Sequence, residues 1–359
     1  MACISHDPLP FIYRNPKTLM NKGWILVTGG LGYIGSHTVL DLLNKNYHVI
    51  ILDNLSNSQR GIKENIEQLS GRSVTFVEGS VGDQDVVQKV LSDFDIQHVI
   101  HFAASKSVPE SIKSPNLYYD NNVVNLIKLL DKLKVSKVKS FIFSSSASLY
   151  GEANHFPVAE DAEINYTNPY AHTKLIGEGL IRQFAQNVMN IDVAILRYFN
   201  PLGNHPSGIL GDRLTHKASN IMPMIYRSLK HDQAFHIYGN DYDTTDGAPI
   251  RDYIHVLDLA EAHERSLQLL VQKGGVHLLN IGLGEGVSVK QLLQTYQSVN
   301  NIQLQVIESD RRKGDLPKCF AINDLMKQML NWQPQLTLQD MCRDAHQYFI
   351  ENVSESKNP

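Results

Sequence analysis

The stretch from Trp24 to Asp53 constrains the fold more than any other. An apolar run, WILVT, breaks into TGGLGYIGSHT at residues 28–38, and helical spacing then resumes with Val39, Leu42 and Leu43. A second apolar run, HVIILD, ends on Asp53. Strand, glycine turn, helix and strand make a βαβ unit, which requires its two strands to be parallel. Gly29, Gly32 and Gly35 fall in a G-x-x-G-x-x-G pattern. Glycines there let the backbone turn tightly and let a pyrophosphate approach the free N–H groups at the helix start, where the dipole favours anions. Asp53 stands about twenty residues into the unit, where an acid accepts hydrogen bonds from ribose hydroxyls and repels a 2′-phosphate. The pattern predicts a dinucleotide site, for NAD in preference to NADP. The plainer alternative is a structural turn with a chance aspartate.

The alternation continues. VTFVEG (74–79), HVIHFA (98–103), SFIFSSS (140–146) and DVAILRYF (192–199) are strand-like. Helical spacing lies between them, as in Leu126, Leu129, Leu130 and Leu133. The runs are continuously apolar, as strands buried on both faces should be. This predicts an α/β protein with a Rossmann-type doubly wound parallel sheet. After Pro201 the chain turns rich in Pro, Gly, Asn and Asp, with one helical pattern near 217–230, strand-like HLLNIG (277–282) and LQVIES (304–309), and a closing helix at about 336–352. The reading expects an N-terminal extension over 1–22, flexible, with Met20 as a candidate start. It expects a cofactor domain over 23–200 with returns from about 251–285, and a smaller C-terminal α/β substrate domain over 201–359.

Composition narrows the classes. The 359 residues are 42% hydrophobic and 19% charged, with a net charge of −4 and no long basic run, so nucleic acid is not an expected partner. No apolar stretch approaches the about eighteen residues of a membrane span. Cys3, Cys319 and Cys342 are too few and too scattered for a disulfide framework or zinc site, and a reducing, cytoplasmic setting is expected. The 15 histidines show no metal-ligand spacing, and no metal is expected.

NPYAHTK (168–174) puts a phenol and an ammonium one helical turn apart, with Pro169 suited to a first turn. A positive neighbour favours the phenolate, so Tyr170 could serve as a general base beside Lys174. Alone, the pair could equally be a solvated helix face.

Together, SFIFSSSASLYG and NPYAHTK resemble the serine–tyrosine–lysine set of the extended short-chain dehydrogenase/reductase family. VTGGLGYIGSHT, ILDNLSNS, VIHFAASKSV, YYDNNV, RYFNPLGNHPSG, IRDYIHVLDLA and RKGDLPKCF carry the resemblance to its UDP-glucose 4-epimerase branch, in order, from about residue 24 to about 345. The resemblance implies NAD-dependent C4 epimerisation of UDP-hexoses through a transient 4-keto sugar, with NAD kept bound, and a homodimer. It implies Ser146 and Tyr170 at the sugar's 4-hydroxyl and Lys174 on the nicotinamide ribose. It implies Tyr33, Ile34, Asp53, Asn54, Asn57, Ser80, Val81, Phe102, Ala103, Lys106, Asn121 and Phe199 along the cofactor, with the three glycines. Asn200, Asn220, Tyr238, Arg251, Arg312 and Asp315 would hold the UDP portion: two arginines suit a diphosphate, and Tyr238 offers uracil a stacking face. Plainer roles exist: Ser146 as a turn cap, Arg251 paired with Asp252, Arg312 in a solvated loop, Asn200-Pro201 as a turn.

Three departures stand out. Ser80 replaces an aspartate common near adenine, with Asp83 as a possible substitute. GDRLTHKASN (211–220) lacks the usual proline-containing stretch. Cys319 stands where some relatives carry tyrosine, which would open the sugar pocket to UDP-GlcNAc and UDP-GalNAc. Rival readings are a sugar-nucleotide dehydratase, which would need an acid after Ser146; a UDP-glucuronate 4-epimerase or decarboxylase, which would need an extra basic residue; and a non-catalytic NAD sensor, which would not need the Ser–Tyr–Lys set.

Overall fold

The structure is a computed structural model that describes residues 23–151, 155–215, 220–312 and 315–354. The expected N-terminal extension lies outside the described residues. Strands β1 (Trp24–Thr28), β2 (Val49–Asp53), β3 (Thr75–Glu78) and β4 (Ile96–His101) alternate with helices α1 (Tyr33–Asn44), α2 (Gly61–Ser70) and α3 (Gln84–Asp93). Helices α4 (Val108–Lys113), α5 (Pro115–Tyr119) and α6 (Asn125–Leu133) follow, with a π turn at Asp120–Val124. Then come β5 (Ser140–Ser146), α7 (Pro169–Phe184), β6 (Asp192–Tyr198) and β7 (Asn200–Leu202). The rest is α8 (Ile221–His231), β8 (Phe235–Tyr238), β9 (Ile250–Arg251), β10 (Tyr253–His255), α9 (Val256–Lys273), β11 (Val276–Ile281), β12 (Val287–Ser288), α10 (Val289–Asn300), β13 (Val306–Ser309), β14 (Lys318–Cys319), α11 (Asp324–Leu330) and α12 (Leu338–Phe349).

The main sheet has seven strands in the order β11-β6-β5-β4-β1-β2-β3, all parallel. Strand order reverses between β1 and β4, and in such sheets ligands bind beyond the carboxyl ends of the strands at that point. Successive residues of each strand feed opposite faces. Ile25, Val27, Ile51 and Ile100 pack under α1 and α9, while Leu26, Ile50, Leu52 and Val99 pack under α3, α6 and α7. This is the doubly wound sheet that the apolar runs predicted.

Beyond β6, short ladders replace long strands: β10 pairs with β7, β13 with β8, and β9 with both β12 and β14. A third apolar cluster, built on Ile225, Tyr226, Leu292, Tyr296 and Met341, ties α8, α10 and α12 beneath them. The chain returns to the main sheet through α9 and β11, as expected from HLLNIG. Asn200-Pro201 is not a turn: it is the strand β7, paired with Tyr253–His255. No helix among the described residues is long and apolar enough to cross a membrane. Cys319 and Cys342 are buried free thiols, and no three His, Cys, Asp or Glu among the described residues gather to hold a metal.

Candidate active site

The residues expected along a cofactor come from the carboxyl ends of adjacent parallel strands. Gly29 has a φ of +69°, and a Cβ there would lie 2.7 Å from the Ala103 nitrogen. A Cβ on Gly35 would lie 2.3 Å from the Gly29 carbonyl oxygen. Glycine is thus forced at both positions, and the turn brings β1 against the start of α1 and the segment after β4. Helix α1 begins at Gly32 with no side-chain cap and no acid in its first turn, so its N–H groups stay available to an anion. Asp53, 7% exposed, holds this corner: its carboxylate accepts from the Leu31 and Leu55 amides and from the Ser58 hydroxyl. Asn54 caps the turn at Ser56, and Asn57 is exposed beside it.

Farther along the edge, the Lys106 ammonium lies 5.8 Å from the Tyr33 ring centroid, and the Tyr33 hydroxyl donates to the Gly203 carbonyl. Ile34 and Phe102 pack on the α1-side cluster, with Phe102 against His263; Val81 and Ala103 belong to the opposite cluster. Asn121, in the π turn, donates to the Ser105 hydroxyl. Ser80 Oγ accepts from the Gly82 amide. Asp83, considered as its substitute, is the N-cap of α3, accepting from the Asp85 and Val86 amides. That capping carboxylate is committed to the helix start.

The Ser–Tyr–Lys set assembles at the end of β5 and the start of α7. Asn168 caps α7 through the Ala171 amide, with Pro169 in the first turn as the sequence predicted. Ser146 Oγ accepts from the Ser148 amide, so the serine caps the turn after β5, as the plainer reading allowed. Tyr170 packs edge-on against the buried Tyr118. Lys174 is 3% exposed and donates to the Ser144 carbonyl at 2.6 Å, with its ammonium 6.0 Å from the Tyr170 ring centroid. Burial raises the Tyr170 pKa, opposed by a hydrogen bond with Ser146. Burial also lowers Lys174 to about 7, with Glu178 pulling it back up, so the ammonium is itself easily discharged.

The residues expected on the nucleotide meet elsewhere. Asn200, Asn220, Tyr238, Arg251, Arg312 and Asp315 line one cavity of about 200 Å³, with Pro201, Met224, Phe235 and Tyr253 among its other walls. Arg251 does not pair with Asp252. It faces Asp315 at 3.6 Å and donates to the Ile250 and Leu316 carbonyls. Asp252 instead accepts from the Leu283, Gly284 and Ala321 amides, and burial pushes its carboxyl up to about 7. The Arg312 guanidinium stacks on Tyr238 at 3.6 Å from the ring centroid, so one face of the expected uracil platform is covered. Asn220 donates to Asp212 at 2.7 Å. Cys319 is 8% exposed and lies behind the cavity, as the ladder partner of Arg251, packed with Ala147, Tyr150, Phe199 and Ala321. Phe199, next to the cavity residue Asn200, packs in the same cluster as Ala147, which follows Ser146.

Sequence reasoning missed three supports. Asn122, 5% exposed, accepts from the Ser105 amide and donates to the Ser105 carbonyl and the Thr173 hydroxyl, clamping the loop after β4 onto α7. Its only sequence signal is the Asn pair in YYDNNV. Asp212 and the buried Glu178–Arg197 pair carry no sequence signal.

A family profile described as GDP-mannose 4,6 dehydratase matches residues 26–345. A UDP-glucose 4-epimerase of Bacillus subtilis is 39% identical over 335 residues, 93% of this chain and 99% of that protein. The chain belongs to the UDP-glucose 4-epimerase family. The epimerase fold carries over to solved structures. A UDP-glucose 4-epimerase from Stenotrophomonas maltophila, with bound NAD and formylated UDP-arabinopyranose, superposes with a TM-score of 0.89 at 38% identity, covering 92% of this chain and 98% of that one. A UDP-Glc/GlcNAc 4-epimerase from Campylobacter jejuni superposes at 0.79 and 32% identity, covering 91% and 99%. Ala147 and Ser148 follow Ser146, and neither is the acid that the dehydratase reading called for.

Proposed function

We propose that this protein interconverts UDP-hexoses at C4 with NAD as bound cofactor, with Ser146, Tyr170 and Lys174 as its catalytic residues. The observation that carries the assignment is the cavity on which all six expected nucleotide ligands converge, in a chain that also sets Ser146 at the end of β5 and Tyr170 and Lys174 at the start of α7. The residues at the sheet edge fit NAD: two glycines that no other residue could replace, an uncapped helix start, and a buried carboxylate beside it. Lys174 fits as well: among the described residues one acceptor, the Ser144 carbonyl, takes one of its three N–H donors, which leaves two for ribose hydroxyls.

Bound NAD supplies a hydride acceptor and donor, and a positive charge, beside the sugar's C4. Tyr170 takes the C4 hydroxyl proton and later returns it, and Ser146 donates to the same oxygen as it becomes a carbonyl. Because burial disfavours the Tyr170 phenolate, a positive neighbour is essential, and Lys174 provides one while charged. Arg251 and Arg312 grip the diphosphate, so the 4-keto sugar can turn over while its handle stays fixed. Asn200, Asn220, Tyr238 and Asp315 complete that grip.

The substrate range we propose includes UDP-GlcNAc and UDP-GalNAc, because a cysteine at 319 leaves the wall beside Ala147 and Phe199 thin. We further propose a cofactor domain over 23–200 with returns from about 251–285, a mainly substrate-binding domain over 201–359, a cytoplasmic setting, and a homodimer. Exposed Leu117, Val124, Ile127 and Val188 on the α5–α6 and α7 side supply an apolar face for the dimer. The test is turnover of UDP-galactose and UDP-GalNAc by purified protein with no added NAD, with products separated by chromatography. Interconversion of both is expected. No turnover of UDP-galactose, even after NAD is added, would reject the assignment.

A further inference from the structure

A buried polar network lies one helical turn beyond Lys174 on α7 and takes no part in the steps above. At its centre is Glu178, 2% exposed. Its Oε1 accepts from Ser145 Oγ at 2.6 Å and from Arg197 Nε at 2.9 Å, and its Oε2 accepts from Arg197 Nη2 at 2.8 Å. Arg197, 4% exposed, also donates through Nη1 to the Tyr150 hydroxyl at 3.0 Å and to the Glu160 carbonyl at 3.1 Å. Tyr150 donates to Asn280 Oδ1 at 2.6 Å, and the Asn280 amide donates to Glu160 Oε1 at 2.7 Å. One carboxylate and one guanidinium thus join α7, the ends of β5, β6 and β11, and the loop at Glu160. Ser145, held by Glu178, directly precedes Ser146.

Buried ion pairs of this kind add little net stability, since desolvation offsets attraction, and an apolar pair of similar volume holds a fold as well. What an apolar pair could not supply is a carboxylate one helical turn from Lys174 on the same face of α7, though Arg197 and, at 3.8 Å, Arg182 share its charge. We propose that Glu178, oriented by Arg197, is a positioning residue for the reaction: it pins α7 to β5 and β6 so that Ser146, Tyr170 and Lys174 keep their spacing, and it is the counter-charge of the Lys174 ammonium. What Lys174 does in catalysis rests on the epimerase reading. The other groups around the lysine carry no negative charge. His101 faces it from β4, and burial lowers His101 to about 3, so it stays neutral. Strand β5 presents the Phe143 ring and the Ser144 carbonyl. Burial raises the pKa of Tyr170 on α7 and of Tyr198 on β6, so neither offers Lys174 a standing negative charge at rest, and Tyr170 becomes one only as the base of the reaction. Glu178 is the group that opposes the burial of Lys174.

The sign of the effect follows. Lys174 works as the ammonium, so its contribution is present below its pKa and is lost as pH rises through it. Removing the carboxylate moves that loss to lower pH. The experiment compares wild-type protein, Glu178→Gln and the neutral pair Glu178→Gln/Arg197→Met, each purified with its cofactor. It follows kcat and KM for UDP-galactose, NAD retained after gel filtration, and melting temperature, from about pH 6 to about pH 9. For Glu178→Gln we expect the alkaline limb of kcat to move down by about half a pH unit or more, NAD to be lost at lower pH, and KM to stay within about twofold. The neutral pair should recover the melting temperature without recovering the limb. A folded variant of either kind with the wild-type limb and wild-type NAD retention overturns the proposal. If wild-type protein itself fails to turn over UDP-galactose, the epimerase reading falls, and the pH dependence of NAD retention still decides the role of Glu178.

Discussion

The start of α7 and the cavity around Arg251, the proposed catalytic turn and nucleotide site, are made of opposite materials. Around Tyr170 and Lys174 the protein uses long parallel strands, buried side chains and short hydrogen bonds to backbone carbonyls. Around Arg251 and Arg312 it uses strands of two to four residues and partly or fully exposed charges. The first arrangement fixes geometry and shifts proton affinities; the second supplies charge while remaining able to adjust. A reaction that must hold one end of a molecule while the other end turns over needs both.

The contrast can be broken most sharply at the catalytic turn. Tyr170→Phe should lower kcat by about 10²–10⁴-fold, with UDP binding by calorimetry unchanged, because only the proton carrier is removed. Equal losses in both readouts would mean that the two regions are not separable. Arg251→Ala should show the converse: UDP affinity down about tenfold to a hundredfold, from losing charge-assisted hydrogen bonds, with kcat at saturation little changed. A fall in kcat matching the fall in affinity would place Arg251 in the chemistry.

Subtler substitutions sharpen the comparison. Cys319→Tyr thickens the wall beside Ala147 and Phe199. It should abolish turnover of UDP-GalNAc while UDP-galactose turnover stays within about tenfold of wild type, since overpacking of a buried site carries some cost. Loss of both activities together would deny Cys319 a role in selecting the sugar. The smallest effect is expected from Ser80→Asp. A carboxylate there should slow the release of NAD during dialysis by a few-fold, about the worth of one exposed hydrogen bond. Unchanged release would remove position 80 from the adenine contacts.

Much of this was legible in the sequence, for a physical reason. Strands buried on both faces must be apolar throughout, so WILVT and HVIILD announce themselves, and glycines that cannot bear a Cβ leave a spacing. The short ladders left no such trace. Asn200-Pro201 reads as a turn because its pairing with Tyr253–His255 is decided by partners far along the chain. Glu178 and Arg197 look like any charged residues on a helix and a strand, since burial and partnership are three-dimensional facts. The Tyr170–Lys174 pair shows the same limit. Their spacing was visible, while the burial that raises one pKa and lowers the other was not.

The ladder that pairs Cys319 with Arg251 has a consequence for how such a protein can diversify. On the proposed function, the residue that backs the sugar wall and the residue that grips the phosphates sit side by side in neighbouring strands, joined by the backbone hydrogen bonds Ile250–Pro317 and Asp252–Cys319, which depend on neither side chain. In that reading the ladder would act as a ruler whose zero mark is the diphosphate, and a single codon change at position 319 would rescale what fits at the far end without recalibrating the near one, so new sugars could be sampled along a lineage while the nucleotide handle stays the same.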